Sequence, residues 1–159
     1  MRISINHPEV FATIFESVTK SKLHRPITGI STDSREIQRG DLYIAIKGEK
    51  VDGHKFLIQV EKAGAVAALV SDLNTSIGIQ QVKVSDTINE IAKISHEWRM
   101  RFDIPVIGIT GSNGKTSTKE LLLHILSTKF KMHATKGNFN TNIGLPLTLL
   151  KMDLSHNIS

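Results

Sequence analysis

The sequence predicts an α/β fold in two parts: a small mixed α/β unit over residues 1–85, then the beginning of a second unit organised around a parallel sheet, over residues 86–159. Two observations carry this. Short apolar runs alternate with segments of helical periodicity through the first half. A β-branched run beginning at Ile104 leads into a glycine turn and then a helical pattern. No Gly- or Ser-rich tract separates the parts, so a boundary near Ser85 rests on the pattern alone, with a margin of about ten residues.

The first element reads as a helix. Asn6 can cap it, Pro8 suits its first turn, and Val10, Phe11, Ile14, Phe15 and Val18 form one apolar stripe, which marks core. After a polar stretch from Thr19 to Arg25 come strand-like pieces at Ile27 to Thr32 and Leu42 to Ile46, separated by the turn Arg39-Gly40-Asp41. Lys55 to Lys62 has helical spacing, Ala65 to Val70 is a short apolar run, and Ile79 to Val84 is a strand candidate after the turn at Asn74 to Gly78. From Asp86 a further helix begins. Thr87 and Glu90 form a capping box, and Ile88, Ile91, Ala92, Ser95, Trp98 and Phe102 share a face.

Residues Ile104 to Thr118 then read as a buried strand, a glycine turn and Lys115-Thr116 opening a helix. That order describes a phosphate-binding loop. Amides of Gly111, Ser112, Asn113 and Gly114, and of Lys115, Thr116 and Ser117 at the helix start, can point at a polyphosphate; Lys115 can neutralise its outer charge, and the Thr116 hydroxyl can ligate magnesium. The standard pattern also places a glycine five residues before Gly114. Ile109 stands there, with Gly108 one place too early. Asn113-Gly114 could instead close a hairpin, but Thr118, Leu121, Leu122, Ile125 and Leu126 follow with helical rather than alternating spacing. Beyond the helix, His133 to Thr135 reads as a short strand, Lys136 to Gly144 as an asparagine-rich turn, and Leu145 to Leu150 as another helix.

Composition narrows the partners. The chain has 159 residues, 40% hydrophobic and 22% charged, which suits a packed globular core rather than disorder. No apolar run reaches the ~18 residues of a membrane span, and Met-Arg-Ile-Ser-Ile-Asn-His-Pro has no secretory pattern, so a cytoplasmic protein is expected. The absence of cysteine leaves oxygen and imidazole as metal ligands, an inventory that suits magnesium. The net charge of +5 is spread out; the cluster Lys20, Lys22, His24, Arg25 has no interleaved aromatic and Lys129, Lys131, His133, Lys136 has only Phe130, which argues for a solvated basic face or an anionic small-molecule ligand over nucleic acid. His7, His24, His96, His124, His133 and His156 show no metal-ligand spacing.

Gly108-Ile-Thr-Gly-Ser-Asn-Gly-Lys-Thr-Ser117 resembles the phosphate loop of the Mur ligases of bacterial cell-wall synthesis, which shares the missing early glycine. Lys136-Gly-Asn-Phe-Asn-Thr-Asn-Ile-Gly-Leu-Pro-Leu-Thr-Leu-Leu150 is similar to the following segment of the member that adds D-alanyl-D-alanine to UDP-N-acetylmuramoyl-tripeptide. Ser31-Thr-Asp-Ser-Arg35, Gly40-Asp-Leu-Tyr-Ile-Ala-Ile-Lys-Gly48 and Asp52-Gly-His-Lys-Phe56 resemble the family's N-terminal domain, which holds the uridine end of the substrate. The three blocks stand in family order along nearly the whole chain. Thr141 departs from the usual asparagine.

The resemblance implies a UDP-substrate domain followed by the start of a P-loop parallel-sheet ATPase domain. The implied reaction is ATP-dependent amide-bond ligation: a substrate carboxylate attacks the γ-phosphate, and the incoming amine displaces phosphate from the acyl phosphate. Lys115 would be catalytic, Gly111 to Ser117 would hold ATP, and Thr116 would bind Mg2+. Ser31, Asp33, Ser34, Arg35, His54 and Asn142 would contact substrate, with Asn138 and Asn140 as weaker candidates. Each has an ordinary alternative. Asparagines populate turns for backbone reasons, Asp33 and Ser34 can simply close a turn, and a histidine after Asp52-Gly53 can be a helix-start residue.

The chain ends about 45 residues after the loop, whereas a parallel-sheet nucleotide fold needs several more strands. A truncated ligase, a monomer inactive alone, is therefore expected. The alternative from another class is a noncatalytic nucleotide- or UDP-sugar-binding module or remnant.

Overall fold

A computed structural model describes residues 1–135 and 141–159. Its centre is a five-stranded sheet in the order β1-β2-β3-β4-β5. These are Arg2–Ser4 (β1), Gly29–Ser31 (β2), Asp41–Ile44 (β3), Ala67–Val70 (β4) and Gln80–Lys83 (β5). β1 pairs antiparallel with β2, and the remaining pairs are parallel, so the C-terminal ends of β2 to β5 share one edge. The register aligns Ile30 with Leu42, and Leu42 with Ala67.

Parallel strands covered on both faces should be apolar at successive positions, and β3 and β4 are buried throughout. Their side chains alternate between two clusters. Leu42, Ile44, Ala67 and Leu69 join Ile3, Ile30 and the helices on one face, whereas Tyr43, Ala45, Ala68 and Val70 pack with Leu57 and Val60 on the other. The first face carries α1 (Pro8–Thr19), α3 (Thr87–Arg99) and α5 (Gly144–Leu149); the second carries α2 (Leu57–Lys62), which follows a single 3-10 turn, Gly53–Phe56. Helix α3 lies against both α1 and α5. Trp98 fastens the second contact, its indole N–H donating to the Met152 carbonyl at 3.1 Å.

Several expectations are corrected. β1 replaces what the sequence leaves as a lead-in to the first helix. His7, not Asn6, stands at the N-cap of α1 and makes no side-chain cap bond, and the Asn6 side-chain amide donates instead to Asp153 Oδ2 at 3.4 Å. The cap of α3 is Asp86, whose carboxylate accepts from the Ile88 and Asn89 amides at 2.8 and 3.0 Å. Thr87 is thereby the first helical residue, and its hydroxyl donates to the Ala45 carbonyl at 2.9 Å instead of closing a capping box. The buried face of this helix includes Ile94, while Ile88 is only half-buried.

The largest correction concerns the run before the glycine turn. Residues 104–110 form no strand, and Val106 and Ile107 are 49% and 45% exposed. Their backbone pairing is confined to Ser159: the Ile107 amide donates to the Ser159 carbonyl at 2.8 Å, and the Ser159 amide to the Pro105 carbonyl at 3.0 Å. A buried strand needs neighbours on both sides, and among the described residues this run has a backbone partner in Ser159 alone. The piece His133–Thr135 is likewise no strand. Met132 makes an isolated bridge to Ile158, and the His133 amide donates to Ile158 at 2.8 Å.

Candidate functional site

The glycine turn has the backbone that a phosphate loop requires. Gly111 has φ +144° and Gly114 φ +78°, the left-handed region that glycine enters without steric cost. Gly114 is the N-cap of α4 (Lys115–Leu126), and no side chain caps this helix start. The first helical amides are consequently open to a ligand, on the positive end of the helix dipole. Nothing lies within 4 Å of where a Cβ would stand on Gly108 or Gly114. This chemistry fits a polyphosphate. Lys115 folds back so that its ammonium donates to the Gly111 carbonyl across the turn, which places the charge over the cradle.

Beside the loop is a cavity of about 550 Å³ lined by Gly108, Lys115, Thr116, Lys119, His133 and Thr148, among others. Lys119 follows Lys115 by one helical turn and donates to the Thr135 carbonyl at 2.7 Å, tying α4 to the chain that leads toward Asn142. The sequence reading passes over Lys119, although its i+4 spacing from Lys115 was the available signal. Arg99 is also missed. Its guanidinium donates to the carbonyls of Phe102 and Ile104 at 2.5 and 2.9 Å, holding the chain that enters the loop. His133 is buried with its ring N–H donating to the Thr148 carbonyl at 2.7 Å; burial pushes its imidazole below the usual histidine range. Asn142 is exposed in the turn before α5, while Asn138 and Asn140 lie outside the described residues.

The second group of predicted residues gathers at the C-terminal edge of the parallel strands, the side on which open α/β sheets bind ligands. Ser31 ends β2 and is fully buried; its hydroxyl donates to the Asp33 carbonyl at 2.9 Å and accepts from the Asp33 amide at 3.1 Å, so it shapes the turn. Arg35 grips Asp33 with two teeth, Nε to Oδ1 at 2.9 Å and Nη2 to Oδ2 at 2.6 Å. That ion pair holds the Asp33 carboxyl well below the usual range, and the Arg35 side chain remains 82% exposed. Ser34 is half-buried in the same turn.

His54 lies nearby in the loop after β3. Asp52 accepts from the His54 amide at 2.9 Å and faces Nδ1 at 2.6 Å, and hydrogen bonding to His54 depresses the Asp52 carboxyl. Tyr43, between these loops, donates its hydroxyl to the Gly53 carbonyl at 3.1 Å; burial, with Asp33 and Asp52 adding to it, pushes the phenol up to about 12. The structure therefore separates the predicted residues into two groups, one around α4 and one around the sheet edge.

Comparison with known proteins follows the same division. The profile described as "Mur ligase family, catalytic domain" matches residues 26–102, and "Mur ligase middle domain" matches residues 109–158. A UDP-N-acetylmuramoyl-tripeptide–D-alanyl-D-alanine ligase from Synechocystis sp. is 41% identical over 145 residues, covering 90% of this chain and 32% of that protein. The Bacillus subtilis protein of the same name is 41% identical over 128 residues, covering 79% of this chain and 28% of its own length. Among solved structures, the UDP-N-acetylmuramoylalanyl-D-glutamyl-2,6-diaminopimelate–D-alanyl-D-alanyl ligase from Acinetobacter baumannii aligns with TM-score 0.85 at 34% identity, over 92% of this chain and 34% of that one. A MurF ligase from Thermotoga maritima in complex with ADP aligns with TM-score 0.75 at 34% identity, over 81% of this chain and 30% of that one. The chain thus spans about a third of the length of the relatives it matches. With two family profiles in succession, relatives about 40% identical and the same fold, the chain belongs to the Mur ligase family.

Proposed function

We propose that this chain carries the uridine-substrate unit and the first part of the ATP-binding unit of a cytoplasmic ligase that joins D-alanyl-D-alanine to UDP-N-acetylmuramoyl-tripeptide. The observation that carries the reading is the Gly111–Gly114 turn, with its two left-handed glycines and uncapped helix start, in a chain similar to ligases of that name. Residues 1–85 would hold the UDP end, through Ser31, Asp33, Ser34, Arg35 and His54. Residues 86–159 would begin the nucleotide unit, with α3 bridging the two by packing on α1 and α5.

In this reading the amides from Gly111 to Ser117 cradle the phosphates and the Lys115 ammonium leaves the Gly111 carbonyl for phosphate oxygen. The Thr116 hydroxyl would supply a ligand to Mg2+, whose charge would offset that of the phosphates. Asn142, exposed before α5, is assigned to substrate. Positioning and neutralisation are the protein's contribution, and loss of the Lys115 charge should cost on the order of several kcal/mol of transition-state stabilisation.

The test is calorimetric titration of ADP, with and without Mg2+, into this chain and into Lys115→Ala. Binding by the parent with at least a tenfold loss in the variant supports the reading; equal affinity, or no binding by the parent, rejects it.

A further inference from the structure

At the sheet edge, Asp52, His54 and Ser71 stand in the order of an acid, an imidazole and a hydroxyl. Asp52 Oδ1 is 2.6 Å from Nδ1, and Ser71 Oγ is 3.2 Å from Nε2. The hydrogen bonds exclude a nucleophilic serine. The Ser71 amide donates to Nε2 at 3.0 Å and the Asp72 amide approaches it at 3.4 Å, so Nε2 is an acceptor whose lone pair is already taken. The Ser71 hydroxyl donates to Asp72 Oδ2 at 3.1 Å. With Nε2 accepting, the ring proton sits on Nδ1 and is donated to Asp52.

The ring thereby joins two separate loops. Asp52 and His54 belong to the segment after β3, which is closed on itself by the Lys47–Asp52 bridge and by the Gly53 amide donating to Ile46 at 2.8 Å. Ser71 and Asp72 directly follow β4. The His54 side chain is only 11% exposed, so few waters are available to replace a lost partner. Adding a proton to Nε2 would point an N–H at two backbone N–H groups, turning an attractive contact into a repulsive one. The charged and titratable groups around the ring are Asp52 on Nδ1, Asp72 beside Ser71, Lys47 and Tyr43 within the field of Asp52, and Asp33, which also acts on Tyr43.

We propose that His54 is a proton-operated clamp: as the neutral Nδ1–H tautomer it holds the loops after β3 and β4 in register, and its protonation releases them and weakens ligand binding at this edge. The clamp itself follows from the geometry, whereas the ligand half rests on the assignment of this edge to the uridine substrate. Besides its assigned place at the UDP end, His54 would thus position the two loops.

The experiment is 15N-resolved NMR on this chain over a pH series, recording the His54 ring nitrogens and the Ser71 amide protection factor, with UDP-N-acetylmuramoyl-tripeptide affinity measured in parallel. In its neutral form the ring should show Nδ1–H and bare Nε2. As the ring titrates, Ser71 protection should fall about five- to tenfold, the loss expected for one hydrogen bond, with the midpoint of the ring itself. Affinity should fall over the same interval. His54→Gln can still accept from the Ser71 amide but cannot titrate, so both pH-dependent steps should disappear. An Nε2–H tautomer, or Ser71 protection that stays flat while the ring titrates, overturns the proposal, and these wild-type readings decide it even if the variant does not fold. A protection step with pH-independent affinity overturns the coupling to ligand. A protection step with no binding at any pH supports the clamp and rejects the substrate assignment.

Discussion

Arg2 and Asp41 face each other across the sheet in a two-toothed ion pair, Nε to Oδ2 and Nη2 to Oδ1, both at 2.8 Å. Asp41 is wholly buried and also accepts from the Gln38 amide at 2.8 Å, so its carboxylate organises the turn that leads into β3. Gly29 makes room for the pair: a Cβ there would stand 2.5 Å from both Arg2 Nη2 and Asp41 Oδ1. A strand residue without a side chain is thus the condition for a charge pair at the junction of β1, β2 and β3.

Removing one partner should therefore cost far more than removing an exposed pair. Arg2→Met leaves a buried carboxylate without its counter-charge and should reduce unfolding free energy by about 3 kcal/mol, the lower end for a broken buried pair because Arg2 keeps some contact with water. Gly29→Ala should destabilise comparably by forcing the pair apart. Urea denaturation measures both, and values within about 0.5 kcal/mol of the parent, the range of an ordinary surface change, would contradict this account.

The phosphate loop makes a backbone prediction separable from charge. Gly114→Ala keeps Lys115 but places a Cβ on a residue at φ +78°, at a cost of about 1–2 kcal/mol. Since nothing crowds that Cβ in the free chain, the strain and the loss of close phosphate approach should appear together. ADP affinity should fall more than thermal stability does; unchanged affinity in a folded variant would remove Gly114 from the site.

Arg35 supports the opposite contrast. Its side chain is largely exposed and its partner Asp33 lies in the same turn, so Arg35→Ala should leave the thermal midpoint nearly unchanged. Binding of UDP-N-acetylmuramoyl-tripeptide should drop at least tenfold if the guanidinium is used for phosphate. A competition assay with equal affinities would leave it as a turn-closing residue.

His133 predicts a pH dependence of stability. Burial lowers its folded pKa below the unfolded value of 6.5, so between the two the unfolded chain binds a proton that the folded chain refuses. Stability from this group is fully present above about pH 6.5 and is lost as pH falls through the depressed folded value. His133→Asn should flatten the slope of denaturation midpoint against pH in that window, while an unchanged slope would assign it to other groups.

Periodicity located all five helices, α1 to α5, and four of the five strands, because burial on one or both faces imprints a repeat that any reader of the sequence can see. Capping was less legible. Asp86 and Thr87 are both competent caps, and the choice fell to Asp86 because the Thr87 hydroxyl had a buried carbonyl, that of Ala45, to satisfy. β1 escaped notice because three residues carry too little pattern, and its place is set by its pairing with β2 and by Asp41, 39 positions away from Arg2.

By itself, the sequence determined the family, the glycine turn followed by Lys115 at a helix start, and the alternation that places each strand residue on one face of the sheet or the other. These depend on residue types at short spacing, where backbone geometry leaves few alternatives. Only the tertiary structure decided that Ile104 to Thr110 stands outside the sheet, that Ser31 shapes a turn, and that His54 joins two loops through Ser71. Each depends on a partner distant in sequence, and a hydrogen bond or a strand neighbour is set by where the chain returns in space.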